Sequence, residues 1–196
     1  SRYMLQGYKG QPHFGESSTH YTLGGLSRTQ KIPQRIAQMN PDMKFVYMLR
    51  DPIHRIRSNY LHSARLGLFT GTLEQYLDGK RGKVAVRTSL YFHQLSEYLS
   101  VFPADRFHVV IFEEFVKSPS LHMAEICRFL GVDAMPGRLK YDAHNVSHNR
   151  GQATVSNHLE CSPERLAALK LRVGADTRKL CDWLGRSEIS EWDLTV

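Results

Sequence analysis

The stretch Lys44-Phe-Val-Tyr-Met-Leu-Arg50-Asp51-Pro52-Ile-His-Arg55-Ile-Arg-Ser58-Asn-Tyr60-Leu-His62 decides the fold. Its first half, Lys44 to Leu49, is a short apolar run that predicts a strand buried on both faces of a sheet. The period then changes. On a helical wheel Ile53, Ile56, Tyr60 and Ala64 fall on one side, and Asp51, Arg55, Ser58, His62 and Arg65 on the other. Asp51 is suited to be the N-cap, and Pro52 fits the first turn, where its missing N–H costs nothing. A strand that ends on Arg50 and turns directly into a helix delivers a fixed cation to the mouth of a sheet, where open α/β folds take ligands. A phosphate could be held there by the Arg50 guanidinium and the Ser58 hydroxyl. The other reading of the polar arc is a solvated face of an amphipathic helix.

Working outward, helix and strand alternate, which predicts one α/β domain over residues 1–196 with a mostly parallel sheet flanked by helices. A first short strand is expected around His13-Phe14-Gly15-Glu16. A helix is expected from Thr29 to Met39, broken at Pro41-Asp42. The Arg55 helix should run to about Gly67. A short helix should follow Thr72, a basic loop should cover Gly79 to Lys83, and a long helix should run from about Val86 to Phe102, ended by Pro103. Phe107 to Phe112 reads as a second buried strand. Ser118-Pro119 opens a helix ended by Gly131, and Ser162-Pro163-Glu164 opens the last one, ending near Trp183-Leu184-Gly185. Residues 132–160 read as irregular and polar.

The formal net charge of +7 fits a solvated basic surface or a field that attracts anions. The lysines and arginines are spread along the chain and no nucleic-acid motif is present, which argues against a nucleic-acid module. No apolar run approaches the roughly 20 residues that span a bilayer, and the N-terminus lacks the apolar core of a signal peptide. Three cysteines, Cys127, Cys161 and Cys181, make no disulfide framework or zinc spacing. Pairing of Cys161 with Cys181 stays open. A reduced, cytoplasmic setting is the expectation, with the lumenal domain of a Golgi-type enzyme as alternative.

The segment from Lys31-Ile-Pro33-Gln-Arg35 to Pro41, followed by Leu49-Arg50-Asp51-Pro52, Arg55, Ser58 and Tyr60, resembles the PAPS-dependent sulfotransferases, especially the heparan and other carbohydrate sulfotransferases and their bacterial relatives. Gly15-Glu16-Ser17-Ser18-Thr19-His20-Tyr21 resembles the family's Gly-Glu-x-Ser-Pro-x-Tyr segment. Ser89-Leu-Tyr91-Phe-His-Gln94, Phe102-Pro103, Phe112-Glu113-Glu114 and Phe129-Leu130-Gly131 continue the likeness, which is good from about 12 to 132 and loose beyond. Ser17 stands where animal carbohydrate sulfotransferases often carry lysine, and is shared more with bacterial sequences.

The resemblance implies a P-loop-NTPase-like sulfotransferase fold and transfer of a sulfuryl group from PAPS to a hydroxyl or amine of a carbohydrate or small molecule, leaving PAP. The alternative is a non-catalytic protein that binds nucleotide or sulfated glycan. By the same resemblance Arg50 and Ser58 bind the 3′-phosphate, and Asn149-Arg150-Gly151 matches a late basic loop that closes over it. The other reading of Arg150 and Gly151 is a plain turn. The family's base is a His or a Glu, which here points to His20 or Glu16. His20 could equally be satisfied by backbone, and Glu16 could pair with Arg50. Tyr91 could line the pocket or belong to the core. Neither G-x-x-x-x-G-K-[ST] nor Lys-x-Gly-Thr-Thr occurs in the sequence. The first strand and the 5′-phosphosulfate loop are therefore expected to be missing, lost by truncation or processing.

Overall fold

The structure, a computed structural model, describes residues 13, 15–22, 31–133 and 161–195. Among them the chain forms α1 (Ile32–Met39), β1 (Phe45–Leu49), α2 (Pro52–Arg65), α3 (Leu73–Asp78), α4 (Lys80–Thr88), α5 (Tyr91–Leu99), β2 (Phe107–Ile111), α6 (Phe112–Lys117), α7 (Pro119–Leu130) and α8 (Pro163–Leu184). Short 3-10 turns occupy Thr19–Thr22 and Ala104–Arg106. β1 and β2 pair in parallel, with Phe45 opposite Phe107 and Leu49 opposite Ile111. Helices α2 to α5 supply the crossover that a parallel pair requires. The class is the expected α/β one, a small parallel sheet among helices.

The local signals behave as their chemistry demands. Asp51 accepts a hydrogen bond from the His54 amide at 2.8 Å and caps α2, with Pro52 in its first turn. Thr72 and Gln75 form a reciprocal capping box on α3. Gly131 and Gly185 end α7 and α8 at φ of 78° and 67°, the left-handed region that glycine enters without strain.

Two apolar clusters organise the helices, and α8 joins them. Ile53, Ile56 and Tyr60 of α2 pack with α3, α4 and Val173. Leu49 and Ile111 of the sheet pack with Tyr91, Leu180 and Trp192. One face of the sheet is covered by α5 and α8, and over β2 the other face is covered by α7, where His108 stacks on Phe129 at 5.3 Å. Phe45 meets Tyr98 edge-on at 5.4 Å and Tyr47 meets Tyr91 at 6.2 Å, both on α5. Val46 and Met48 point the other way and are 40% and 45% exposed. β1 is therefore not buried on both faces, because side chains alternate across a strand and only its Phe45-Tyr47-Leu49 face meets α5 and α8, whereas β2 is the buried strand expected, with Val110 and Ile111 both 2% exposed on opposite faces.

Other expectations need correction. Residues 13 and 15–18 form no strand. They have no described strand beside them, and the following turn is held instead by the Tyr98 hydroxyl, which donates to the Tyr21 carbonyl at 2.7 Å. The expected basic loop is the start of α4. Glycine is needed inside that helix, since a Cβ on Gly82 would lie 2.0 Å from the Tyr76 carbonyl oxygen. The expected long helix from Val86 is two helices, α4 and α5, parted at Ser89-Leu90. Asp176 of α8 accepts from the Phe92 and His93 amides at 2.8 and 2.9 Å, so it caps α5 from a distant part of the chain. Helix α6 was not expected; the described part of the first helix begins at Ile32, after Lys31 as N-cap, and the expected start at Thr29 lies outside the described residues. All three cysteines are free. Cys161 and Cys181 flank most of α8, about 30 Å apart at the helical rise, so they do not pair.

Candidate functional site

Arg50 leaves the C-terminal end of β1 half-buried. Its Nε is buried without a hydrogen-bond partner, and its guanidinium carbon lies 5.9 Å from the centre of the Phe112 ring. An unpaired buried donor is costly unless something satisfies it, so the Arg50 Nε can take an acceptor, as can the equally unpartnered Nε atoms of Arg57 and Arg106. The backbone beneath it is tightly held. The Tyr91 hydroxyl donates to the Arg50 carbonyl at 2.8 Å. The Asp51 amide donates to Glu113 Oε1 at 3.0 Å, and the Trp192 indole N–H donates to Glu113 Oε2 at 3.0 Å. Burial, the largest cause, pushes the Tyr91 phenol well above its ordinary value, against the pull of Arg55 and Arg50. Tyr91 therefore stays a neutral donor near pH 7, in the core and in the wall of the site at once.

The Asp51 carboxylate already occupies the start of α2. A bound anion would meet that negative charge at the helix N-terminus. Ser58 sits half-buried two turns into α2. Arg55 does not join the solvated arc. Its Nη1 donates to Thr88 Oγ1 at 2.6 Å and Ser89 Oγ at 3.0 Å, and both hydroxyls donate onward to the Ala85 carbonyl. It clamps the α4–α5 junction against α2. His62, Arg65, His93, Lys80, Arg81 and Lys83 are exposed, as a solvated surface requires.

Glu16 is exposed and faces the Tyr21 hydroxyl. Burial first, then this hydrogen bond, raises Tyr21 to about 12. No ion pair joins Glu16 to Arg50 among the described residues. His20 lies in the 3-10 turn that Tyr98 anchors, and Tyr98 packs on Phe45, at the end of β1 away from Arg50. The turn that carries the His20 backbone therefore lies at the Phe45 end of β1, and the His20 side chain lies outside the described residues. Arg150 and Gly151 lie outside the described residues.

Sequence reasoning missed Glu113 and Trp192. The signal for Glu113 was present: the parallel register sets Leu49 beside Ile111, so residues following the two strands emerge at one sheet edge. Trp192 lies past the last helix, and nothing local marks its partner.

A family model described as the sulfotransferase family matches residues 26–136, more than half of the chain. The chain belongs to the sulfotransferase family. It is 28% identical over 118 residues to human heparan sulfate glucosamine 3-O-sulfotransferase 5, covering 53% of this chain and 33% of that protein. It is 33% identical over 111 residues to heparan sulfate glucosamine 3-O-sulfotransferase 6 of Mus musculus, covering 53% and 32%. This chain therefore spans about a third of the length of the curated relatives it matches. The crystal structure of a sulfotransferase from Alicyclobacillus acidocaldarius superposes with a TM-score of 0.75 at 26% identity, over 97% of this chain and 72% of that one. The sulfotransferase family match contains β1 to α7, and with them Arg50, Ser58, Tyr91 and Glu113, while Trp192 lies beyond it. Among the described residues no helix is long and apolar enough to cross a membrane.

Proposed function

We propose that this sulfotransferase transfers a sulfuryl group from PAPS to a hydroxyl or amine of a carbohydrate, with Arg50 and Ser58 holding the 3′-phosphate of the nucleotide. The observation that carries the reading is the buried, unpartnered Nε of Arg50 at the end of β1. The residues fit such a group: a guanidinium offers a planar fork of donors to phosphate oxygens, and the Ser58 hydroxyl on α2 can add a neutral bond. A carbohydrate is favoured as acceptor because both quoted curated relatives are named for a glucosamine polymer.

PAPS supplies the activated sulfur when bound. The acceptor oxygen or nitrogen attacks that sulfur in line, the bond from sulfur to the 5′-phosphate oxygen breaks, and PAP departs while a base takes the acceptor's proton. We assign the base to His20 or Glu16. The 3′-phosphate and the sulfuryl group lie at opposite ends of the donor, so the base need not be near Arg50. An imidazole with an ordinary value near 6.5 suits proton removal at neutral pH.

The test is sulfuryl transfer from PAPS labelled at sulfur to heparan-type oligosaccharides by the full-length protein. Incorporation is expected, and the variant of His20→Ala and Glu16→Gln that abolishes turnover while nucleotide affinity holds identifies the base. Nucleotide binding without transfer to any acceptor would favour the non-catalytic alternative, and absence of both would overturn the assignment.

A further inference from the structure

We propose that Glu113 is the positioning residue for Arg50, and that the C-terminal segment Ile189–Thr195 completes the 3′-phosphate site by locking that glutamate in place. This rests on the nucleotide reading above.

The Arg50 carbonyl and the Asp51 N–H belong to one peptide group. Tyr91 binds its oxygen at 2.8 Å and Glu113 binds its N–H at 3.0 Å. Fixing both polar ends of one peptide fixes the direction in which the Arg50 side chain leaves the strand, and so the arc its guanidinium can reach. Glu113 forms no ion pair with Arg50 among the described residues, so it aims the arginine without neutralising it. Its second oxygen is taken by the indole of Trp192, a residue only 6% exposed whose ring lies 5.7 Å from the Tyr91 ring. One aromatic side chain thus supports both holders of the peptide.

The segment carrying Trp192 is itself strapped down. Lys117 meets Glu191 at 3.0 Å, Lys170 meets Asp193 at 3.0 Å, and Arg186, just before the segment, meets Glu114 at 2.5 Å. Ile189 packs into the cluster that holds Leu49 and Tyr91. A carboxylate is required at Glu113 because both incoming groups are N–H donors. Glutamine offers one oxygen and one NH2, so it can keep only one of the two bonds.

Calorimetric titration of the full-length protein with adenosine 3′,5′-bisphosphate and with adenosine 5′-monophosphate separates positioning from stability, since the two ligands differ only in the 3′-phosphate. Glu113→Gln should lose about tenfold of the preference for the bisphosphate while its affinity for the monophosphate holds. Trp192→Phe keeps the ring but removes the donor. It should shift the preference in the same direction by about threefold, and it carries the test if Glu113→Gln does not fold. An unchanged preference in the folded variants, or equal loss for both ligands, overturns the positioning role. Arg50→Ala separates the two proposals: if it abolishes the preference while the Glu113 and Trp192 variants keep it, only the positioning fails. If Arg50→Ala also leaves the preference intact, the nucleotide reading itself fails.

Discussion

Replacing Asp176 by alanine should destabilise the protein by about 2–3 kcal/mol, although Asp176 lies on α8 and the damage occurs at the start of α5. Its two oxygens accept from the Phe92 and His93 amides at 2.8 and 2.9 Å, and α5 has no side-chain cap of its own. The His93 end is exposed and can be rehydrated, whereas Phe92 is half-buried. One charge-assisted bond is therefore lost nearly in full, at about 1.5–3 kcal/mol, and the other only in part. For a chain of this size the melting temperature should fall by about 5–10 °C. Asp176→Asn keeps one acceptor and removes a charge that burial disfavours, so it should cost about 1 kcal/mol or less. The two variants also differ with pH. Burial, the largest cause, raises the Asp176 carboxyl, while the two amide bonds and the nearby cations oppose it. A raised folded-state value means that the folded protein binds this proton more tightly. Its contribution is present below the ordinary carboxylate range and is lost as pH rises through that range to the raised value. That component should vanish in Asp176→Asn. Urea and thermal denaturation across pH measure all three proteins. An alanine variant within about 0.5 kcal/mol of wild type, or an asparagine variant as damaged as the alanine one, would refute the reasoning.

Gly82→Ala should cost about 2 kcal/mol or more, because the new methyl would meet the Tyr76 carbonyl oxygen at 2.0 Å and Leu77 Cα at 2.6 Å, and backbone cannot swing aside. Urea denaturation at wild-type stability would contradict that close contact. On the acid side, Lys117 holds the Glu191 carboxyl below its ordinary range, and the Ser162 hydroxyl does the same for Glu74. Depressed values contribute stability above the ordinary carboxylate range that is lost as pH falls through the lowered values. Melting curves taken on descending pH should therefore show a smaller acid loss for Glu191→Gln than for wild type, and an identical loss would remove that pair from the account.

Capping chemistry and periodicity made β1, α2, α3, α7 and α8 legible, because Asp51, Thr72, Gly131 and Gly185 act on their own neighbours in the chain. The errors fall where a distant residue decides. The break between α4 and α5 is capped by Asp176 and pinned by Arg55, and only the Thr88-Ser89 pair hinted at a helix end. Gly82 looked like a loop residue and is instead the point where α3 and α4 touch. Within the site, Arg50 and Ser58 stood out because one chain segment carries both. Glu113 and Trp192 reach the same turn from 62 or more residues away and were invisible to any local pattern. Arg55 illustrates the limit of the helical wheel: its angle placed it with the polar arc, but the length of its side chain carries it back to buried hydroxyls.

The central claim is that Arg50 binds the 3′-phosphate of the nucleotide. Titration calorimetry of the full-length protein with adenosine 3′,5′-bisphosphate, wild type against Arg50→Ala, tests it most directly. Loss of a charged partner for a phosphate should weaken binding by about 2–4 kcal/mol, or about 30- to 1000-fold. Equal affinities in the two proteins, or no binding by wild type, would contradict it.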